Sequence, residues 1–124
     1  MSIDTFQQST VATLQVVASR TASANGSGFD VSGYEGRGYV GVIHAQDASA
    51  NTLNARVEHS TDNSTFTAVS GYTMTQATSS SGLARIEVDT DAVNQYIRSR
   101  VMVGSANQTG RIIGTYWEGI KKYQ

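Results

Sequence analysis

Two stretches of the chain alternate between apolar and polar residues, and this pattern limits the possible folds more than any other feature. The first covers residues 53–60 and the second residues 96–103. Successive side chains of a β-strand point to opposite faces of a sheet, so one face of each stretch is predicted to be buried. The residues in this inward phase are Leu53, Ala55, Val57, Ile97, Ser99, Val101 and Val103.

Several further segments have the composition of strands and are separated by turn-forming residues: 11–19, 29–31, 36–45, 65–69, 72–75, 83–89 and 111–120. Turn signals about every 8–12 residues are typical of sandwiches and barrels, and no segment predicts a helix. The sequence therefore predicts an all-β fold, an antiparallel β-sandwich that is jelly-roll-like and has about eight to nine short strands. Residues 1–10 are expected to form an N-terminal arm, and residues 11–124 a single sandwich domain.

Three local predictions accompany this fold. Residues 24–28 are expected to form a turn in which Asn25-Gly26 favours positive φ. Residues 61–64 are expected to connect two strands of a hairpin. The nearly continuous apolar run within residues 36–45 predicts a strand in the middle of a sheet.

Composition excludes several classes of function. The chain has no cysteine, which excludes disulfides and thiolate metal sites. Its nine Lys and Arg residues are spread over a chain of net charge −1, unlike the basic footprint of a nucleic-acid-binding protein. No stretch approaches the ~18 apolar residues of a membrane helix, and the first residues do not resemble a secretory signal. We therefore expect no nucleic-acid partner and no membrane partner.

No constellation of residues predicts catalysis, and we expect a protein that is not an enzyme. His44 and His59 are the only histidines, and neither has an evident third metal ligand or catalytic acid. His59 is expected to be half-buried at the end of its strand. Asp62 and residues 89–91 could supply oxygen ligands to Ca²⁺, but Asp also favours turns by bonding its own backbone, and we prefer that interpretation. No catalytic site, metal site or cofactor is expected.

The absence of proline and the charges on the strands both bear on contacts with other chains. Without proline, the strand edges must be protected by charge, bulges or partner chains. Charged residues also occupy the polar phase of three predicted strands: Arg56, Glu58, Arg85, Glu87, Arg98 and Arg100. If those strands are neighbours, the six residues form one cross-strand ladder, which is either a solvated face or a subunit contact. The glutamates are expected to be solvated.

The aromatic residues raise a related question. Tyr116 and Trp117 are adjacent on a predicted strand, so only one of them can lie in the core. An exposed aromatic side chain would mark an interface or a ligand site.

Short pieces of the sequence resemble two known groups of β-proteins. Residues 57–69 and 94–98 resemble the hairpin and the aromatic-Ile-Arg strand of discoidin-like, galactose-binding-type jelly rolls, with Phe66 in place of Trp. From Gly38 onward, the layout is similar to that of small structural proteins of tailed-bacteriophage heads. The pieces that carry this second resemblance are Ser60–Phe66, Val88-Asp89-Thr90, Tyr96-Ile97-Arg98 and Lys121-Lys122-Tyr123.

The resemblance to phage head proteins implies a non-enzymatic virion structural protein that binds the outer surface of a phage capsid. As a decoration or cement protein on the capsid exterior, it would be assembled in the host cytoplasm and stabilise the shell. Its partners would be the major capsid protein and copies of itself in a homo-oligomer (dimer or trimer). Two alternatives are a carbohydrate-binding module and a tail or baseplate structural subunit. The interface candidates are Ile3, Phe6, Arg56, Glu58, Arg98, Arg100, Trp117 and Tyr123.

Overall fold

The chain folds into strands and connecting turns. The computed structural model describes residues 9–20, 22–46, 52–77, 81–104 and 111–122. Within these ranges the strands are β1 (Ser9–Arg20), β2 (Ala24–Asn25), β3 (Phe29–Asp30), β4 (Tyr34–Gln46), β5 (Thr52–Ser60), β6 (Thr67–Thr73), β7 (Gly82–Asp89), β8 (Tyr96–Gly104) and β9 (Arg111–Lys121). The same ranges contain no helix of the length and hydropathy needed to cross a membrane.

The strands form two antiparallel sheets. Sheet I has the order β1-β9-β4-β7, and sheet II has the order β2-β8-β5-β6, with β3 also paired to β8. The predicted all-β, antiparallel sandwich is confirmed. The prediction of a central strand within residues 36–45 is also confirmed, because β4 is hydrogen-bonded to β9 on one side and to β7 on the other.

The connectivity is that of a jelly roll, as predicted. Strand β1 pairs with β9, β2 and β3 with β8, β4 with β7, and β5 with β6. The chain is therefore a long hairpin, with its apex between β5 and β6, that has rolled up so that its paired arms alternate between the two sheets.

The core lies between the inward faces of the two sheets, and the predicted alternation accounts for it. Leu53, Val57, Ile97 and Val101 have no exposed surface, and the polar phase of the same strands points away from the core. Trp117 of β9 is also completely buried, with the rings of Phe29 and Tyr34 packed against it. The main core side chains are Leu14, Val31, Tyr34, Val40, Val42, Leu53, Ala55, Val57, Met74, Ala77, Ile86, Val88, Ile97, Val101, Ile113 and Trp117.

A buried polar cluster joins the two sheets inside this core. Strand β1 has register shifts between Thr13 and Ala18, and Gln15 at this bulge is buried. The Ser99 hydroxyl of β8 donates a hydrogen bond of 2.9 Å to Gln15 Oε1 and lies 2.7 Å from the Thr115 hydroxyl of β9. These bonds satisfy hydroxyl groups that would otherwise be costly to bury, and they link sheet I to sheet II.

The hairpin apex is held by Asp62, and the predicted turn at residues 61–64 is confirmed. Asp62 Oδ1 accepts hydrogen bonds from the Ser60 hydroxyl and from the backbone N–H groups of Ser64 and Thr65, at 2.7, 2.9 and 3.0 Å. The Thr65 N–H, the Ser60 hydroxyl and the Ser64 N–H together lower the pKa of Asp62 to about 2. Asn63 adopts the left-handed conformation with φ of 59°, which Asn tolerates well.

The expected turn at residues 24–28 is wrong in two respects. Ala24 and Asn25 form strand β2, paired with Val101 and Arg100, and neither Asn25 nor Gly26 has positive φ. The glycine serves a close approach instead. A Cβ on Gly26 would lie 2.9 Å from Ser99 Oγ and 3.0 Å from the Leu14 carbonyl oxygen. The Gly26 N–H can therefore donate to the Ser99 carbonyl at 2.7 Å and continue the ladder.

The two short strands predicted at 65–69 and 72–75 are one strand, β6. Gly71 has φ of +85°, a conformation that allows an irregular strand to continue where most residues would interrupt it. The extra residues of β6 form a large bulge opposite β5, between the pairs Arg56–Thr73 and Glu58–Ala68.

We expect Gly38→Ala to lower the free energy of unfolding by about 1–3 kcal/mol, the usual cost of overpacking a core. A Cβ on Gly38 would overlap the Trp117 ring, which has no free space to move into. Urea denaturation measures the change. Gly33→Ala is the control, since among the described residues, apart from its two chain neighbours, no atom lies within 4 Å of its Cβ position, and its φ is outside the left-handed region. Equal destabilisation by both substitutions would contradict this packing argument.

Candidate interaction surfaces

The outer face of sheet II carries a carboxylate held by two arginines. Glu58 of β5 is buried, with its side chain only 4% exposed. Arg56, two residues earlier on the same strand face, donates from Nε and Nη2 to Glu58 Oε2 at 2.9 and 2.6 Å. Arg98, directly opposite on β8, donates from Nε to the other carboxylate oxygen, Oε1, at 2.7 Å. Both carboxylate oxygens are therefore paired with a guanidinium group.

The pKa of Glu58 reflects two opposing effects. Burial removes water from the carboxylate and by itself would raise its pKa. The hydrogen bonds from Arg56 and Arg98, with the charges of the two guanidinium groups, outweigh burial, and the pKa of Glu58 lies below its ordinary value. Glu58 is therefore ionised at neutral pH although it is buried.

Two further contacts shape this basic surface. The Arg98 guanidinium lies over the ring of Phe66, with Cζ 4.4 Å from the ring centroid, which is a cation–π geometry. Arg100, next along the same face of β8, donates to Asn25 Oδ1 at 2.8 Å. Arg56 and Arg98 thus hold one carboxylate, Arg100 lies opposite Arg56 on β8, and the surface they form has an excess of positive charge. We call these three arginines with Glu58 the arginine surface.

The six charged residues predicted to form one ladder are divided between the two sheets. Four of them make up the arginine surface, but Arg85 and Glu87 lie on β7, which belongs to sheet I. The prediction of a solvated glutamate is wrong for Glu58, because Arg56 and Arg98 cover it. Glu87 is exposed and pairs with Arg37 at 2.6 Å.

The remaining interface candidates do not lie on a described surface. Trp117 is a core residue with no exposed side-chain surface, so in this fold it cannot contact another molecule. Its neighbour Tyr116 points outward, as expected when only one of the two is in the core. Ile3, Phe6 and Tyr123 lie outside the described residues.

The histidines and acidic turns have structural partners. His59 is half-buried and accepts a hydrogen bond at Nδ1 from the Asn94 N–H at 3.1 Å. Asp89 Oδ1 accepts one from the Asp91 N–H at 2.9 Å, a turn interaction like that of Asp62. Among the described residues, no group of three or more His, Cys, Asp or Glu side chains is placed to hold a metal ion.

Sequence reasoning missed an apolar patch on the outer face of sheet I. Ile43 is 46% exposed and Leu83 52% exposed. The sequence does contain a sign that these residues point outward. Leu83 is on the same face of its strand as Arg85 and Glu87, and Ile112 is on the same face as Glu118. This surface, here called the apolar patch, consists of Val11, Val16, Val17, Ile43, Leu83 and Ile112.

A hollow of about 300 Å³ opens on the same face, beside the bulge of β1. Its lining includes Val17, Ile43, Gly114 and Tyr116. The Tyr116 ring lies across Gly41, and the Val17 side chain lies across Gly114, where a Cβ would overlap each of them. The two glycines therefore give these side chains room beside the hollow.

The described aromatic residues do not form one solvent-facing platform for a sugar. Tyr34 and Trp117 are in the core. Tyr39 and Tyr116 lie on the outer face of sheet I, whereas Tyr96 belongs to sheet II. In a comparison with known proteins, no family model, curated protein or solved structure matches this chain.

We expect Glu58→Gln to lower the free energy of unfolding at pH 7 by about 3 kcal/mol, because it leaves two arginines facing a neutral side chain. The pKa of Glu58 is lower in the folded protein, so its stabilising effect is complete above the unfolded value and is lost as the pH falls through the folded value. The difference between wild type and variant should therefore be constant near neutral pH and shrink in acid below pH 4.5. Urea denaturation at a series of pH values measures it.

Glu87→Gln is the matched control, since its partner Arg37 is equally close but both side chains are exposed. Exposed ion pairs contribute little, so this variant should unfold like wild type. A pH-independent effect of Glu58→Gln, or an equal effect of Glu87→Gln, would contradict the role given to the buried carboxylate.

Proposed function

We propose that this protein is a non-enzymatic structural component of a phage virion, which binds the outer surface of the capsid as a homo-oligomer and stabilises the shell. The resemblance of its sequence to small phage head proteins is one support for the proposal. The observation that carries it in the structure is that a small jelly roll presents two outer faces of different chemistry. One face has the arginine surface, and the other has the apolar patch.

Two faces on opposite sides of a sandwich suit a protein that connects other subunits. One face can contact the shell while the other contacts a neighbouring copy. Each contact can be weak, because repetition over a symmetric lattice multiplies the number of attachments. Removal of one copy then requires several contacts to break together.

The arginine surface is the face that we assign to the shell. Arginine is enriched at protein interfaces, where its planar group binds carboxylates and carbonyls through paired hydrogen bonds. Arg98 is held between Glu58 and the Phe66 ring, so its side chain loses little freedom on binding. Within the described residues, the Arg100 guanidinium has one hydrogen-bond partner, Asn25, so its other donors can bind a partner protein.

The first test is the copy number of this protein in purified particles of its source virus, measured by quantitative mass spectrometry against the major shell protein. A decoration protein should be present at on the order of hundreds of copies per particle, following the symmetry of the shell. A few dozen copies or fewer would instead assign it to the tail or a vertex. Its absence from particles would overturn the virion proposal and favour the sugar-binding alternative.

A second test addresses the face that binds. Arg100→Glu should weaken binding to capsids that lack this protein by about tenfold or more, because it places a negative charge on the arginine surface. Co-sedimentation of the purified protein with such capsids measures the affinity, and wild-type binding should weaken as salt is added. Arg37→Glu, which changes the same charge on sheet I, should bind as wild type does. Loss of binding with Arg37→Glu alone would place the shell contact on the opposite face.

A further inference from the structure

A row of apolar and glycine positions crosses all four strands of sheet I. Ile43 of β4 is paired with Leu83 on β7 and with Gly114 on β9. Val17 of β1 continues the row, since its side chain covers Gly114 and would overlap a Cβ there. Val17, Ile43 and Leu83 are 57%, 46% and 52% exposed. Contiguous exposed apolar side chains of this kind mark interaction sites.

The two halves of this row have complementary shapes. On one side of Ile43, Leu83 projects from the neighbouring strand β7. On the other side, the hollow of about 300 Å³ is bordered by Ile43, by Val17, and by Gly114 and Tyr116 of the neighbouring strand β9. Both neighbours are about 4.8 Å from β4, the normal spacing of paired strands. The projection and the hollow therefore lie on opposite sides of Ile43.

From this arrangement we infer that the outer face of sheet I binds a second copy of this chain. The two copies are related by a two-fold axis that lies between their sheets, runs parallel to β4 and passes over Ile43. Such an axis exchanges the two sides of β4, so Leu83 of each copy faces the hollow of the other, between Val17 and Tyr116. Ile43 meets Ile43 of the second copy at the axis. A two-fold contact requires a self-complementary surface, and this row has that property.

The charges around the row permit the contact. The same axis brings Arg85 of one copy opposite Tyr116 of the other, because both are paired with Gly41 in the next row. A guanidinium over a tyrosine ring is an attractive arrangement. Further along, Arg37 and Arg85 are balanced by Glu87 and Glu118, which they already contact. These four side chains therefore add no net charge to their part of the face.

The axis also determines how much of the face is covered. Strands β7, β4 and β9 of one copy lie over β9, β4 and β7 of the other, and β1 lies outside the overlap. Three strands spaced by about 4.8 Å, each contributing about eight residues of about 3.3 Å, present about 380 Å² in projection, and the accessible area of a corrugated face is larger than its projection. Packing of two sheets face to face is also the arrangement that already forms the core of this fold.

This inference rests on the homo-oligomer in the proposed function and names the surface that forms it. It concerns the isolated protein, whereas the shell contact uses sheet II. Failure of self-association in solution and failure of capsid binding are therefore separate results.

The test is sedimentation velocity of the full chain over a range of concentrations. Wild type should sediment as a species of twice the 13.2 kDa chain mass. Leu83→Glu should weaken association by about 100-fold or more, because the symmetry places two charges in apolar hollows and tenfold corresponds to about 1.4 kcal/mol. The substitution is at an exposed position, and circular dichroism with urea denaturation checks that the variant remains folded.

Val11→Glu is the matched control, because Val11 is 64% exposed on the same sheet but lies two rows from Ile43, on β1, the strand outside the overlap of β7, β4 and β9. It should associate as wild type does. A wild-type monomer at 100 μM or above, a trimer, or equal dissociation by Val11→Glu and Leu83→Glu would each overturn the inference.

A cross-linking measurement tests the axis itself. The chain has no cysteine, so Ile43→Cys introduces a single thiol. Packed sheets are about 10 Å apart, a distance that a short bis-maleimide spans. Ile43→Cys should cross-link efficiently to a second copy, and Val11→Cys should not. The reverse pattern would place the contact elsewhere on the sheet.

Discussion

The pairing of β9 with β1 on one side and with β4 on the other is the constraint on which the rest of the structure depends. The inward side of β9 supplies Ile113, Thr115 and Trp117, which are buried against sheet II. Its outward side supplies Gly114 and Tyr116, which shape the hollow on sheet I. A displaced β9 would therefore open the core and remove the self-complementary surface together, so the stability of the fold and its capacity for assembly depend on the same strand.

Buried polar groups select one register from the many that apolar strands would accept. A shift of β5 by one residue against β8 would separate Glu58 from Arg98 and leave a buried charge without its partner. The Gln15, Ser99 and Thr115 cluster acts in the same way between the sheets, since each hydroxyl needs the others in place. Apolar burial drives the two sheets together, and these polar contacts determine how they are aligned.

The sequence was sufficient to predict the strands because their signal is local. The alternation over residues 53–60 and 96–103 identifies their inward residues without knowledge of any partner. The assignment of β7 to the sheet opposite β5 and β8 depends on long-range pairing, so the proposed six-residue ladder could not be tested from the sequence. Glu58 was missed for a related reason, since only its neighbours determine whether an outward carboxylate is covered. The alternation places Leu83 and Ile112 of the apolar patch on the outward faces of their strands. That the residues of the patch are neighbours follows only from the register of four strands, which the sequence does not show.

The nested pairing of the strands has a consequence for the time order of folding. The β5–β6 ribbon closes around a short turn, whereas Ser9 and Glu118 in the β1–β9 ribbon are 109 positions apart in the chain. Loop closure over such separations is slow, and contacts far apart in sequence delay folding. During translation, β1 leaves the ribosome long before its neighbour β9 is synthesised, and in that interval β1 cannot pair with β9. The length of this interval, rather than the strength of any contact, determines how long the nascent chain is exposed to aggregation.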